Sequence, residues 1–368
     1  MLSKTIPTDV LTRPNLYRHL PSQIPQLANN ESFVAASSTA KKRLKDIDRA
    51  KGLAIFLVVL GHLAVKAPQG NEWYNILKYD FIYMFHMPFF VFISGFVTFY
   101  AYSPINSLKE YGKYAWEKFT SLVPAYVLLG LLILIGKLLL QDVIYVGNPP
   151  ASFMDGLIQI ITRPMYSCTR QIWYLYVLFF LCVLLPILLK IVNQNLWILL
   201  AAALVLHFIP ATEMFALNLI CEYLFVFLLS SYAVAYYGNY IRIIEKYKWY
   251  FGCLFLLSFL IPLVNTNYAA SKLIIGLCSI PALHSLVRTW LFKDSRMLEM
   301  LGRYTLSIYL FHLIAAGLIK GLLLKFVSLE GYAFLYASVL MFLGGLCLPI
   351  ILKKYLLVRI PILDRITH

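Results

Sequence analysis

From about residue 50 onward the chain alternates long apolar runs with short polar or basic breaks. Ten runs stand out, at about 50–66, 81–102, 119–140, 172–192, 196–209, 214–237, 250–266, 272–291, 304–325 and 332–356. All but the fifth reach 17 residues. A helix rising ~1.5 Å per residue needs about 20 residues to cross a ~30 Å hydrocarbon core. The pattern therefore predicts an all-α polytopic membrane protein with about ten transmembrane helices. A membrane β-barrel would instead alternate apolar and polar positions in segments of about ten residues. The short fifth run predicts a tilted or partly re-entrant segment.

Three regions follow from the same pattern. Residues 1–45 are polar, without the short apolar stretch of a secretory signal, and predict a largely disordered cytoplasmic tail. Residues 46–358 form the membrane domain, and 359–368 a short cytoplasmic tail. The longest connection, roughly 141–171, holds Asp142, Asn148-Pro149-Pro150, Asp155, Arg163, Cys168 and Arg170. Connections of that length are often functional. No internal repeat of the kind found in many transporters is evident.

Composition sharpens the class. The chain is 61% hydrophobic and 13% charged, with a mean hydropathy of +0.74, so a soluble fold of this size has nowhere to hide its apolar surface. A net charge of +15 raises the question of nucleic acid. The basic residues instead sit beside apolar runs, mostly on one side, as the positive-inside bias produces. No basic face interleaved with aromatics appears, so no nucleic-acid partner is expected. Lys41-Lys42-Arg43-Leu44-Lys45, Lys109, Lys113, Lys118, Arg242, Lys246, Lys293, Arg296 and Arg303 fall on the N-terminal side. Lys66, Lys78, Arg163, Arg170, Lys272 and Lys325 fall opposite. Both termini are thus expected in the cytoplasm. The six cysteines are scattered, without disulfide or metal-ligand spacing.

Candidate chemistry begins with Lys51 and His62, eleven positions apart in the first run. Eleven helical residues make nearly three turns, which puts both side chains on one face, ~16 Å apart along the axis. The lysine is expected at the water boundary and the imidazole near mid-membrane, where an ionisable group is costly and rarely idle. A second histidine, His86, precedes Pro88 in the antiparallel second run, and the proline is expected to bend that helix. Histidine titrates near neutrality, so it can take a proton from a hydroxyl and return it to a leaving group. The bland reading is a satisfied polar residue holding helices together. Ser94-Gly95 reads first as a close helix contact, second as a slot for a ligand. Glu222 needs a partner inside the membrane, and a histidine or a basic residue are comparable choices. His207 and His312 read as structural, and Trp173-Tyr174 as an interfacial anchor. Without a phosphate loop, zinc motif, CxxC pair or nucleophile elbow, neither metal nor flavin is expected.

These residues resemble the acyltransferase-3 family of integral membrane acyltransferases, which includes bacterial O-acetyltransferases of surface polysaccharides. Asp48-Arg49-Ala50-Lys51 followed by His62 resembles the family's basic residue, ten intervening residues and histidine. Phe85-His86-Met87-Pro88-Phe89-Phe90 with Ile93-Ser94-Gly95-Phe96 is similar to its second-span signature. Trp173-Tyr174-Leu175 and Tyr304 through His312 resemble two later spans. Two positions depart from the pattern. Lys51 stands where arginine is usual, and Ser121 replaces the second of two basic residues of which Lys118 is the first.

The resemblance, which covers about 46–356, implies ten spans and transfer from cytoplasmic acetyl-CoA to an acceptor hydroxyl. The acceptor is expected to be a glycan or lipid-linked saccharide at the outer side of the bilayer. Lys51, with Arg49, Lys118 and Arg303, is expected near the donor's phosphates. His62 is expected to act as general base or as nucleophile, with His86 assisting and Glu222 fixing a tautomer. Ser94, Gly95, Trp173, Tyr174 and His312 are left between substrate contact and packing. A proton-coupled transporter or flippase, with the histidines as a relay, is the competing class, and a catalytically silent relative is a third.

Overall fold

A computed structural model describes residues 43–64, 68–141, 148–264 and 267–367. The predicted tail up to residue 42, and Lys66 and Asp142, lie outside the described residues. Among the described residues every regular element is helical. The chain runs through α1 (Lys45–Gly61), α2 (Glu72–Ala101), α3 (Leu108–Leu140), the short α4 (Phe153–Thr162), α5 (Trp173–Ile191) and α6 (Leu196–Phe208). It continues through α7 (Leu217–Ala235), α8 (Tyr237–Lys246), α9 (Lys248–Ser258), α10 (Tyr268–Leu286) and α11 (Arg296–Arg303). It closes with α12 (Thr305–Leu323), α13 (Tyr332–Tyr355) and α14 (Pro361–Ile366).

Each of the ten apolar runs contains helix among the described residues. Among the described residues seven helices have the length and apolarity to cross a membrane, or eight if the pair Tyr237–Lys246 and Lys248–Val264, bent by 76°, is one span. The protein is an integral membrane protein on that ground. The first run starts earlier than its apolarity suggests. Asp46 and Asp48 occupy the first turn of α1, where carboxylates favour a helix N-terminus. The third run likewise extends back to Leu108, capped by Ser107, which accepts from the Glu110 N–H.

α2 is the central post. Its apolar window is 78% buried against 28% for α3, so α2 is walled by protein while α3 turns largely to lipid. α2 packs on α1, α7 and α10, and α12 packs on α13. Helices in lipid gain little from the hydrophobic effect, so close packing of small residues must hold them. Gly95 of α2 fits this: a Cβ there would lie 2.6 Å from the Phe227 carbonyl oxygen of α7. Pro88 nests on Gly276 of α10, and α2 continues through it to Ala101. No break accompanies this proline, because the neighbouring helix receives its ring.

At the N-terminal end of α1 a buried polar knot ties three helices. Asp46 Oδ2 accepts from the Tyr237 hydroxyl (2.7 Å), His284 Nε2 (3.2 Å) and Arg288 Nη1 (2.9 Å). Tyr240 donates to His284 Nδ1 (2.9 Å), and Arg288 reaches Glu245. A buried carboxylate so supplied with donors stays ionised and anchors α1 to α8 and α10.

Candidate active site

The position of His62 follows from how α1 ends. The last four carbonyls of a helix lack intrahelical donors. Here each finds one: Val58 accepts from His62 Nδ1 (2.6 Å) and Val59 from the His62 N–H (3.1 Å). Leu60 accepts from the Tyr74 hydroxyl (3.1 Å) and Gly61 from the Tyr83 hydroxyl (3.2 Å). His62 is therefore the C-terminal cap of α1 and not, as the apolar run to about 66 suggested, a residue within the helix.

The same bond sets its chemistry. A carbonyl oxygen facing Nδ1 requires the proton there, so the neutral ring keeps a bare lone pair on Nε2. His86 repeats the device, donating Nδ1–H to the Ile82 carbonyl (2.7 Å), and His312 donates to the Ile308 and Tyr309 carbonyls. The three rings cluster: His62 lies 6.3 Å from His86 and 5.5 Å from His312, centroid to centroid. His312 Nε2 is buried without a hydrogen-bond partner among the described residues. Sequence reasoning left His312 between substrate contact and packing, because a lone histidine on an apolar helix gives no sign of its neighbours. No group of three His, Cys, Asp or Glu side chains among the described residues could hold a metal ion.

His62 and His86 line a cavity of about 400 Å³ together with Lys78, Arg170, Trp173 and Lys272. Lys78 sits in a π-helical turn of α2 over Ile76–Ile82, a rare geometry that recurs at functional sites. Its ammonium donates to the Ala64 carbonyl (2.7 Å) beside the Tyr79 and Tyr83 rings. Trp173 stacks on Tyr223 at 5.5 Å.

A second cavity, about 320 Å³, opens toward the other end of α1 and is lined by Arg43, Lys51, Phe90, Ser94, Tyr174 and Arg303. Lys51 and Ser94 also line a smaller adjoining space with Lys118 and Ser121. Lys51 and His62 thus line two separate cavities, and Tyr309 lines both. Around it stand Phe90 and Tyr174, stacked at 4.8 Å, with Tyr174 edge-on to Tyr309 at 5.5 Å. The Tyr309 hydroxyl donates to the Gln171 carbonyl (3.0 Å) and accepts the Tyr174 N–H (3.3 Å). The Ser94 and Tyr174 hydroxyls are hydrogen-bonded to each other. Lys51, Ser94, Lys118, Tyr174 and Arg303 thus gather on one side of the partition, His62, His86 and Trp173 on the other.

Three predicted residues lie elsewhere. Arg49 is buried and turns away from both cavities, donating to the Lys293 carbonyl and reaching Glu299 at 3.4 Å. Glu222 pairs with Lys272 at 2.8 Å, and it is the Val58 carbonyl that sets the His62 tautomer. Gly95 is taken up in the contact with α7. Lys78, Arg170, Lys272 and Tyr309 were not picked out as site residues. Lys78 and Lys272 were visible as basic residues against the positive-inside bias, whereas Tyr309 carried no such signal.

A family model described as an acyltransferase domain, acyltransferase-3, matches residues 44–354. The chain is similar to nodulation protein NolL of Mesorhizobium japonicum, with 28% identity over 207 residues. That stretch is 55% of this chain and 51% of the relative, so the match spans about half of each. No solved structure matches the chain.

Proposed function

The chain belongs to the acyltransferase-3 family of membrane acyltransferases, and we propose that it moves an acetyl group from acetyl-CoA to a sugar hydroxyl in a surface or exported polysaccharide. The observation that carries this is the pair of cavities meeting at Tyr309, one basic and one presenting the Nε2 lone pair of His62. The basic cavity faces the cytoplasm of a bacterial inner membrane, with both termini on that side. Acetyl-CoA enters there, its phosphates near Lys51 and Arg303, with Lys118 in the adjoining space. The acceptor, a glycan or lipid-linked saccharide, enters the histidine cavity from the opposite side of the bilayer. The thioester passes Tyr309, which requires the partition with Phe90 and Tyr174 to part.

In the transfer, His62 Nε2 takes the proton of the acceptor hydroxyl as its oxygen attacks the thioester carbonyl carbon. Collapse of the tetrahedral intermediate breaks the C–S bond, and the imidazolium returns its proton to the departing thiolate. The products are the acetyl ester and free coenzyme thiol. With Nδ1 committed to Ile82, a neutral His86 has no hydrogen for an oxyanion, which favours a part in proton transfer.

The test is thiol release from acetyl-CoA by purified protein with a saccharide acceptor. Solute uptake without thiol release would favour the transporter class instead. Lys51→Gln should raise the apparent KM for acetyl-CoA about tenfold, since a charge-assisted phosphate contact contributes ~1.5–3 kcal/mol. An unchanged KM removes Lys51 from the donor site.

A further inference from the structure

We infer that His312 is a positioning residue for His62, steadying the imidazolium that forms when His62 takes the proton of the acceptor hydroxyl. This rests on the acetyl-transfer reading and adds a group to its machinery. His312 is 2% exposed and is not among the residues that line the histidine cavity, so it acts through a neighbour and not on a substrate. Its Nδ1 faces the Ile308 and Tyr309 carbonyls at 3.0 and 2.8 Å. A carbonyl only accepts, so the proton sits on Nδ1 and the lone pair on Nε2. Both carbonyls belong to the preceding turn of α12, which leaves Nε2 directed away from its own helix. His62, arriving from α1, stands edge-on there, 5.5 Å between ring centroids. Among the described residues that Nε2 has no hydrogen-bond partner.

A buried lone pair without a donor costs stability, and an apolar side chain of similar size would avoid that cost. Protonation of His62 supplies what the lone pair lacks. The Nδ1 of His62 is committed to a neutral acceptor, the Val58 carbonyl. No aspartate or glutamate among the described residues lines the cavity. The charge that arrives on His62 therefore lacks the carboxylate that stabilises the imidazolium of a serine-protease triad. A neutral His312 takes that place, with the negative end of its ring dipole at Nε2. While His62 is neutral its own Nε2 carries no hydrogen, so nothing is gained. Once His62 is charged, the lone pair meets a cation and an N–H in a site of low dielectric. The attraction exists in the transition state and not in the ground state, so it belongs to kcat and not to KM. The proton itself passes from the acceptor hydroxyl to His62 Nε2 and on to the departing thiolate, and His312 gains none.

Thiol release from acetyl-CoA by the purified full-length protein, with a saccharide acceptor, tests this in two variants. His312→Asn keeps an amide N–H for the Ile308 and Tyr309 carbonyls and lacks Nε2. His312→Leu removes both nitrogens, and with them the buried lone pair. Each should lower kcat about 30-fold, the factor of a charge-assisted hydrogen bond, with KM for both substrates within about twofold of the parent. The double-mutant cycle separates this from a packing defect. Combined with His62→Gln, either change should alter the residual transfer by less than about twofold, because the charge it stabilises no longer forms. Equal losses with and without His62 overturn the inference while leaving acetyl transfer in place. So does an unchanged kcat in a folded variant, a loss expressed in KM, or a failure of both variants to fold. Absence of thiol release by the parent protein with every acceptor removes the transfer reading, and this inference with it.

Discussion

Replacing His62 with glutamine is expected to lower acetyl transfer about 10³-fold, within the ~10²–10⁴-fold range of general-base catalysis. The variant is informative because the amide can still donate to the Val58 carbonyl that His62 Nδ1 satisfies at 2.6 Å. It therefore keeps the cap of α1 while removing the basic nitrogen. The two effects separate experimentally. Protein yield and thermal midpoint report on the cap, and thiol release reports on the base. A fall in both together would mean that His62 is chiefly a structural cap. Near-normal transfer at normal yield would remove His62 from the chemistry. Incubation with acetyl-CoA alone distinguishes the two roles open to Nε2. A general base leaves the protein unmodified, whereas a nucleophile carries one acetyl group on His62 until an acceptor arrives.

Two features of the sequence point at this residue. One is the spacing from Lys51, and the other is the neighbouring His86 on an antiparallel run. What the spacing could not reveal is the local geometry. Apolarity continues past His62 into Leu63-Ala64-Val65, so the run looks unbroken, yet α1 stops at Gly61. The stop is made by Tyr74 and Tyr83, whose hydroxyls arrive from α2. A hydrophobicity pattern records where chain can be buried; it does not record which distant hydroxyl completes a helix end.

The same limit explains the other gaps. Glu222 was legible as a residue needing a partner, and Lys272, fifty residues on, is that partner. Neither flanking sequence selects the other. Arg49 and Lys51 differ by two positions, about 200° around a helix, so they face opposite ways. Lys51 meets the basic cavity and Arg49 clamps the connection before α11 through the Lys293 carbonyl. The bounds of α5, α6, α12 and α13, by contrast, were readable to within one or two residues. A lipid-facing helix must be apolar along its whole length, which makes its bounds a property of composition.

The largest stability effect is expected from an added methyl group at either end of the α1–α11 contact. Gly52 of α1 lies so close to α11 that a Cβ would stand 2.0 Å from the Leu298 carbonyl oxygen. Gly302 of α11 reciprocates, its Cβ 1.9 Å from the Asp48 carbonyl oxygen of α1. The pairing is antiparallel, residue 52 with 298 and residue 48 with 302, and both obstacles are backbone atoms that cannot swing aside as a side chain would. Gly52→Ala or Gly302→Ala should therefore push the helices apart and destabilise the protein by about 3 kcal/mol or more, at the upper end for overpacking. The consequence reaches the site, because Lys51 and Arg303 are the next residues to these two glycines and both line the basic cavity. Protein that survives purification should show a raised KM for acetyl-CoA with a smaller change in kcat. Gly112→Ala in α3 and Gly317→Ala in α12 are the controls, since a Cβ at either meets nothing within 4 Å. In open helical positions alanine should be neutral or stabilising by up to ~1 kcal/mol. Equal thermal midpoints for all four variants would show that α1 and α11 do not approach backbone to backbone, and that Lys51 and Arg303 are not held side by side by that contact.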